Sequence, residues 1–200
     1  IRADKKTGDQ PFIVIGTGGS VSTGAIDDLA EIAKICREEE LWFHVDGAYG
    51  GFAAMLPDAS PELRALSEAD SVAVDPHKWL YAPLEAGCAL VRDPEKLREA
   101  FAYHPTYYHF GVEAINYLDY GPQNSRGFRA LKVWLALRQV GRSGYEQMVA
   151  ENIRLSRHLH ALVERGSVRA TTDYDELREA GAILIALPTP LSRQREPDLS

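Results

Sequence analysis

Four short apolar runs, separated by stretches of helical periodicity, constrain this chain most. They cover residues 12–15, 41–45, 71–74 and 88–91. The first is closed by Gly16-Thr17-Gly18-Gly19-Ser20, the second by Asp46, the third by Asp75 and the last by Asp93-Pro94. Runs of this length between turn residues read as buried strands, and helices between strands imply a parallel or mixed α/β sheet. In such sheets ligands gather at the carboxyl ends of the strands. Asp46, Lys78 and the 16–20 loop all fall just past such ends, so three elements are expected to converge on one crevice.

The connecting segments read as follows. Thr23-Gly24 is expected to open a helix with Ile26, Leu29, Ala30, Ala33 and Cys36 on one face and Asp27 and Asp28 in its first turn, at the positive end of the dipole. Another helix follows Asp93-Pro94 to about Phe101. A third spans about 125–140 with Phe128, Leu131, Trp134 and Leu135 as its core stripe. A fourth spans about 145–164 with Met148, Ile153, Leu155, Leu159 and Leu162. Residues 101–124 read as one long aromatic-rich loop, the kind that serves as a lid or binding loop. Asp4-Lys5-Lys6-Thr7-Gly8-Asp9 reads as a loop entered from an upstream element.

Composition excludes more than it selects. A net charge of −7 argues against nucleic acid, which needs a basic face. No apolar run approaches the roughly 18 residues of a membrane span, and no signal peptide is expected. Cys36 and Cys88 both sit in apolar segments and read as free thiols of a cytoplasmic protein. Ile1 at the start and Pro197-Asp198-Leu199-Ser200 at the end read as a piece cut at both ends.

The chemistry lies in Asp75-Pro76-His77-Lys78-Trp79 and, upstream, His44-Val45-Asp46-Gly47-Ala48-Tyr49-Gly50-Gly51. A lysine amine can carry an aldehyde as a Schiff base, and a carboxylate can keep a pyridine nitrogen protonated. Pyridoxal phosphate needs both. The plainer alternatives are a solvated lysine and an aspartate that caps a turn. His44-x-Asp46 offers two metal ligands with no third, and His158-x-His160 points its rings apart on a helix, so no metal site is expected.

With Gly18-Gly19-Ser20, Thr23-Gly24-Ala25-Ile26-Asp27, Pro105-Thr106-Tyr107 and 125–134 added in order, residues 1 to about 165 resemble the group II pyridoxal-phosphate decarboxylases, which include the aromatic amino acid and glutamate decarboxylases. The resemblance implies part of a fold-type I (aspartate-aminotransferase-like) large domain over 1–140, a helix toward a small C-terminal domain over 141–165, and a homodimer that decarboxylates an amino acid. It implies that Lys78 holds the cofactor and that Asp46 pairs with its ring nitrogen. Ala48 would be the small residue near the ring; relatives often have alanine where Gly47 stands. Ser20 would hydrogen-bond Asp46 or the ring oxygen, unless it only shapes the turn beside two glycines. His77 and Asp75 would contact the phosphate and set the Schiff base, with Asp75 accepting from the backbone or His77. Tyr107 would protonate the substrate carbon; it and Tyr108 could equally be packing aromatics. Asn124 and Ser125, at the start of a helix, would reach the phosphate of the neighbouring subunit. Arg126 would support that contact, the substrate carboxylate or an interface salt bridge.

After residue 166 the motifs lapse. Ser167 to Leu177 and Ala182-Ile183-Leu184-Ile185-Ala186-Leu187-Pro188-Thr189-Pro190-Leu191 resemble a piece of the NAD-binding domain of nucleotide-sugar dehydrogenases. No Gly-x-Gly-x-x-Gly fingerprint accompanies them, so a chimeric junction near 166 is expected rather than a working second domain, the alternative being a divergent decarboxylase C-terminal domain. The alternatives to decarboxylation are another fold-type I reaction, transamination or aldol cleavage, and a catalytically silent piece of such an enzyme.

Overall fold

The computed structural model describes residues 1–107, 115–179 and 181–182. They fall in two compact units, residues 1–155 and 156–200.

In the first unit, β1 (Ile13–Thr17), β2 (Trp42–Asp46), β3 (Ser71–Val74) and β4 (Cys88–Val91) form one sheet in that order. β1, β2 and β3 are parallel, and β4 runs antiparallel to β3. This is the mixed, mostly parallel α/β sheet expected from the spacing of the apolar runs. Side chains alternate along β2. Phe43 and Val45 are buried on one face, whereas Trp42, His44 and Asp46 lie on the other. Helix α2 (Leu29–Glu39) covers the first face with Leu29, Ala33 and Cys36. Full burial of Leu29 or Phe43 contributes about 1.5–3 kcal/mol each.

The start of α2 departs from expectation. The helix opens at Leu29, with the Asp28 side chain accepting the Glu31 N–H at 3.1 Å. Residues 18–26 are drawn back instead: Gly18 and Ile26 form an isolated bridge, and the Asp27 carboxylate accepts the Thr17 N–H at 2.7 Å. Capping by Asp28 satisfies a helix-end donor that Thr23 cannot reach. Ala30, expected on the core face, is exposed.

Residues 2–7 form a short helix, α1 (Arg2–Thr7), where the sequence reads as a loop. Arg2 and Lys5 pair with Glu39 of α2, and Gly8 at φ 99° closes it. Residues 50–68 build a 3₁₀ turn (Gly50–Met55), α3 (Pro61–Arg64) and a second 3₁₀ turn (Ala65–Glu68). Ala53, Leu56, Ala59 and Leu63 form a second core around Val149, with Trp79 packed against it. α4 (Pro94–Phe101) begins where Asp93-Pro94 predicts, the Asp93 carboxylate accepting the Glu95 N–H at 3.0 Å. The long loop is not wholly irregular: Tyr117–Tyr120 forms a 3₁₀ turn containing the buried Asp119.

The two C-terminal helices join into α5 (Arg129–Glu164), broken at Gly141, whose φ of 69° and ψ of 169° are not helical. The first starts at Arg129, four residues later than expected. Its stripe is not core: Phe128 is 75% exposed, Trp134 56% and Leu135 52%. Periodicity identifies an apolar face but not what covers it. Further along, Tyr145 and Val149 are the buried residues, while Leu155 and Leu159 are exposed.

In the second unit the helix ends on Gly166 at φ 70°, and Tyr174–Glu179 forms a 3₁₀ turn. Residues 183–200, which include 183–191 of the dehydrogenase-like segment, lie outside the described residues.

Candidate active site

The site is assembled at the carboxyl ends of β2 and β3. Asp46 is the last residue of β2 and points to the face opposite α2, where it is exposed. Its Oδ1 accepts the Ala48 N–H at 3.0 Å, a local turn that fixes the carboxylate. Its backbone carbonyl accepts the Gly18 N–H at 2.7 Å, which brings the loop after β1 alongside. Gly19 and Gly50 make this approach feasible. A methyl group added to Gly50 would sit 2.7 Å from the Gly18 carbonyl oxygen and 2.7 Å from Gly19 Cα. Only glycine tolerates that proximity. At Gly47 a methyl would meet Gly51 Cα at 3.0 Å, so an alanine in the Asp46-Gly47-Ala48 turn needs its neighbour to give by a few tenths of an ångström.

β3 delivers the lysine. The Asp75 N–H donates to the Ala48 carbonyl at 3.2 Å, stitching the two strand ends together. The chain then turns, with the Lys78 N–H donating to the Asp75 carbonyl at 2.9 Å. Lys78 Nζ lies 2.8 Å from Asp75 Oδ2, whereas His77 Nε2 is 3.9 Å from the same oxygen. The Asp75 carboxylate was expected to accept from the backbone or His77; the turn instead places it against the lysine three residues on. His77 Nδ1 faces the Ala86 carbonyl at 2.7 Å and the Ala86 N–H at 3.2 Å. The shorter contact fits an Nδ1–H donor, which leaves Nε2 as the acceptor of the neutral ring.

Other expected residues are less converged. Ser20 Oγ lies 2.9 Å from Thr23 Oγ1 and accepts the Thr23 N–H at 3.4 Å, so its hydroxyl serves the turn. Tyr107 stands 73% exposed in the segment after α4, and Tyr108 lies outside the described residues. Asn124 and Ser125 are exposed and precede the first residue of α5, so the helix N–H groups expected at their position belong to later residues. Arg126 turns back and donates to the Tyr117 carbonyl at 2.7 Å, ahead of the helix start at Arg129.

Several contributors escape a reading of motifs alone. The Tyr49 and Trp79 rings pack with centroids 5.0 Å apart, joining the two strand-end loops; their place inside the two motifs is the available signal. Trp42 Nε1–H donates to Ser71 Oγ at 2.8 Å, and His44 Nδ1 lies 2.7 Å from that oxygen, which ties His44 to β3. Arg129 pairs with Glu85 and holds its carboxyl below the ordinary range, chiefly through the hydrogen bond. Burial raises the Cys88 thiol, and burial with a lesser contribution from Asp70 raises Cys36. Among the described residues, no group of three or more His, Cys, Asp or Glu side chains could hold a metal ion.

The donor set fits pyridoxal phosphate. A carboxylate held open at one strand end suits a protonated ring nitrogen, and an amine from the adjacent strand end suits an aldehyde.

Comparison with known proteins points the same way. The model of the pyridoxal-dependent decarboxylase conserved domain matches residues 1–173, past the point near 166 where the motifs lapse. An aromatic-L-amino-acid decarboxylase of Bacillus atrophaeus is 38% identical over 167 residues, covering 82% of this chain and 35% of that protein. A 4-hydroxyphenylacetaldehyde synthase of Rhodiola rosea is 34% identical over 163 residues, covering 82% of this chain and 33% of that protein. The crystal structure of Oryza sativa TDC with PLP and tryptamine superposes with a TM-score of 0.76 at 29% identity, covering 82% of this chain and 34% of that one. The chain thus spans about a third of the length of these relatives.

Proposed function

Because this chain belongs to the pyridoxal-dependent decarboxylase family, we propose that it carries the lysine half of an amino acid α-decarboxylase, releasing carbon dioxide and an amine. The observation that carries this reading is the placement of Asp46 and Lys78 at the carboxyl ends of the paired parallel strands β2 and β3.

Lys78 is the residue that holds pyridoxal phosphate, and Asp46 is the anion that holds its ring nitrogen in the protonated form. When bound, pyridoxal phosphate supplies an electron-accepting ring conjugated with the amino acid's α-carbon. The amine of Lys78 must be neutral before it can attack an aldehyde, so its 2.8 Å pairing with Asp75 Oδ2 must open as the cofactor is taken up. Ala48 and Gly47 keep side-chain bulk away from the carboxylate. His77 orients the loop through Ala86. Tyr107 supplies the proton that the α-carbon takes up after carbon dioxide leaves.

The whole protein is a homodimer in which Asn124 and Ser125 reach toward the neighbouring active site, with an amino acid as its small-molecule substrate and the cytoplasm as its compartment. No described helix is long and apolar enough to cross a membrane. Product analysis on the full-length protein tests the activity. Carbon dioxide with a matching amine supports decarboxylation. A keto acid without carbon dioxide favours transamination, and an aldehyde as sole organic product aligns the chain with the synthase relative.

A further inference from the structure

Tyr81 stands three residues past Lys78 with φ 52°, in the left-handed region that glycine enters freely and a bulky side chain enters at a cost. Among the described residues Glu40 is the other such case with a side chain, at φ 56°, and it caps the end of α2, where that conformation is ordinary. Tyr81 ends no helix. It closes the turn that carries the lysine: the Lys78 N–H donates to the Asp75 carbonyl at 2.9 Å, the Tyr81 N–H to the Lys78 carbonyl at 3.2 Å, and the Ala82 N–H to the Pro76 carbonyl at 3.1 Å. Leu80 and Ala82, on either side of it, are buried. The phenol reaches α5, where its oxygen accepts from Asn152 Nδ2 at 2.9 Å across 71 positions of sequence. Asn152 Nδ2 also donates to the Met148 carbonyl at 2.7 Å, which fixes the amide on the helix. Val149, Asn152 and Ile153 share one helical face, and Val149 belongs to the core against which Trp79 and Ile153 pack. One face of α5 therefore receives the lysine turn at residues 79 and 81.

We propose that the Tyr81–Asn152 hydrogen bond is a strut that positions the Lys78 turn, making Tyr81 and Asn152 positioning residues for the lysine rather than catalytic ones. The proposal rests on the reading of Lys78 as the amine that holds the cofactor. Glycine would adopt the left-handed conformation at 81 without strain, so what a tyrosine adds there is its side chain, and that side chain bonds to Asn152. Strained backbone persists only where the surroundings over-determine it. With the strut removed, the turn relaxes at Tyr81. The Lys78 backbone, held through both its N–H and its carbonyl, shifts with it. A cofactor that must meet one amine is held less well when the placement of that amine spreads.

The test is made in the full-length protein with Tyr81→Phe, which removes the acceptor and keeps the ring, and with Asn152→Leu, which removes the donor at similar volume. In the cofactor-free protein, hydrogen exchange at the Lys78, Tyr81 and Ala82 amides is expected to speed up in both variants, with exchange in β2 and β3 unchanged. Titration with pyridoxal phosphate is expected to show affinity about three- to tenfold weaker in each single variant. The double variant is expected to bind no more weakly than either, because each single change already breaks the bond. Wild-type exchange at the three amides in either variant, unchanged affinity in both, or losses that add in the double variant overturns the strut. Exchange that rises equally across β2 and β3 also overturns it, since that marks a general loss of stability rather than a local one. Borohydride label away from Lys78 in the wild-type protein overturns the reading of Lys78, and with it the purpose of the strut, whatever the exchange shows.

Discussion

Lys78 Nζ and Asp75 Oδ2 lie 2.8 Å apart, an ion pair closed within one turn at the end of β3. The same turn is stitched to β2 through Asp75 N–H and the Ala48 carbonyl. An amine and a carboxylate on two adjacent strand ends therefore form one rigid platform, and the Tyr49–Trp79 contact braces it from the side.

Asp46 tests the electrostatic half of that platform. Asp46→Asn can still accept the Ala48 N–H but carries no charge toward the ring nitrogen. Loss of a charge-assisted hydrogen bond of about 1.5–3 kcal/mol weakens cofactor binding by tenfold or more. Absorbance titration with pyridoxal phosphate measures it, and undiminished affinity removes Asp46 from the role.

Gly50→Ala tests the close approach of the first two strand-end loops. The methyl must displace backbone at Gly18 and Gly19, so the variant is expected to lose about 1–3 kcal/mol of stability. Urea unfolding checks this, and an unshifted midpoint shows that the loops are not in contact in solution.

The thiols give a prediction about access and charge. Burial raises both Cys36 and Cys88, so each holds less thiolate at pH 8 than an open cysteine. Modification by a thiol reagent is expected to be slow in the native protein, to rise with pH, and to become fast in denaturant. Rapid native labelling of Cys36 contradicts its place in the core.

Acid pH reads the Glu85–Arg129 pair. The folded protein holds the Glu85 carboxyl below its ordinary value. The pair's contribution is therefore complete above the unfolded value of about 4.3 and is lost as pH falls through the lowered folded value. In Arg129→Met, the stability lost on acidification below that range is expected to be smaller. The difference should shrink in high salt, because both groups face solvent. Identical acid limbs in the two proteins contradict the pairing.

The sheet and the main chemical groups were legible because strands of the period and length of 41–45 and 71–74 end in Asp46 and Asp75, and burial enforces that pattern. What escaped depends on partners distant in sequence. Nothing within residues 23–28 says that Ile26 bridges to Gly18 or that Asp28, not Thr23, caps the helix. The Phe128–Leu135 stripe has core spacing yet lies exposed, since amphipathicity is a property of one helix and burial is a property of two surfaces. Adjacency in sequence does not show the Asp75–Lys78 pair, because a turn sets residues three apart face to face. The His104–Asp119 pair has no signature in the sequence, because a carboxylate in an aromatic-rich loop reads as solvated, whereas Asp119 is buried.

Reduction of the cofactor-loaded full-length protein with borohydride, followed by peptide mapping, tests the central claim most directly. The pyridoxyl group is expected on the peptide containing Asp75-Pro76-His77-Lys78-Trp79, attached to Lys78, and absent in Lys78→Ala. Label on any other lysine, or equal labelling after Lys78→Ala, contradicts the assignment.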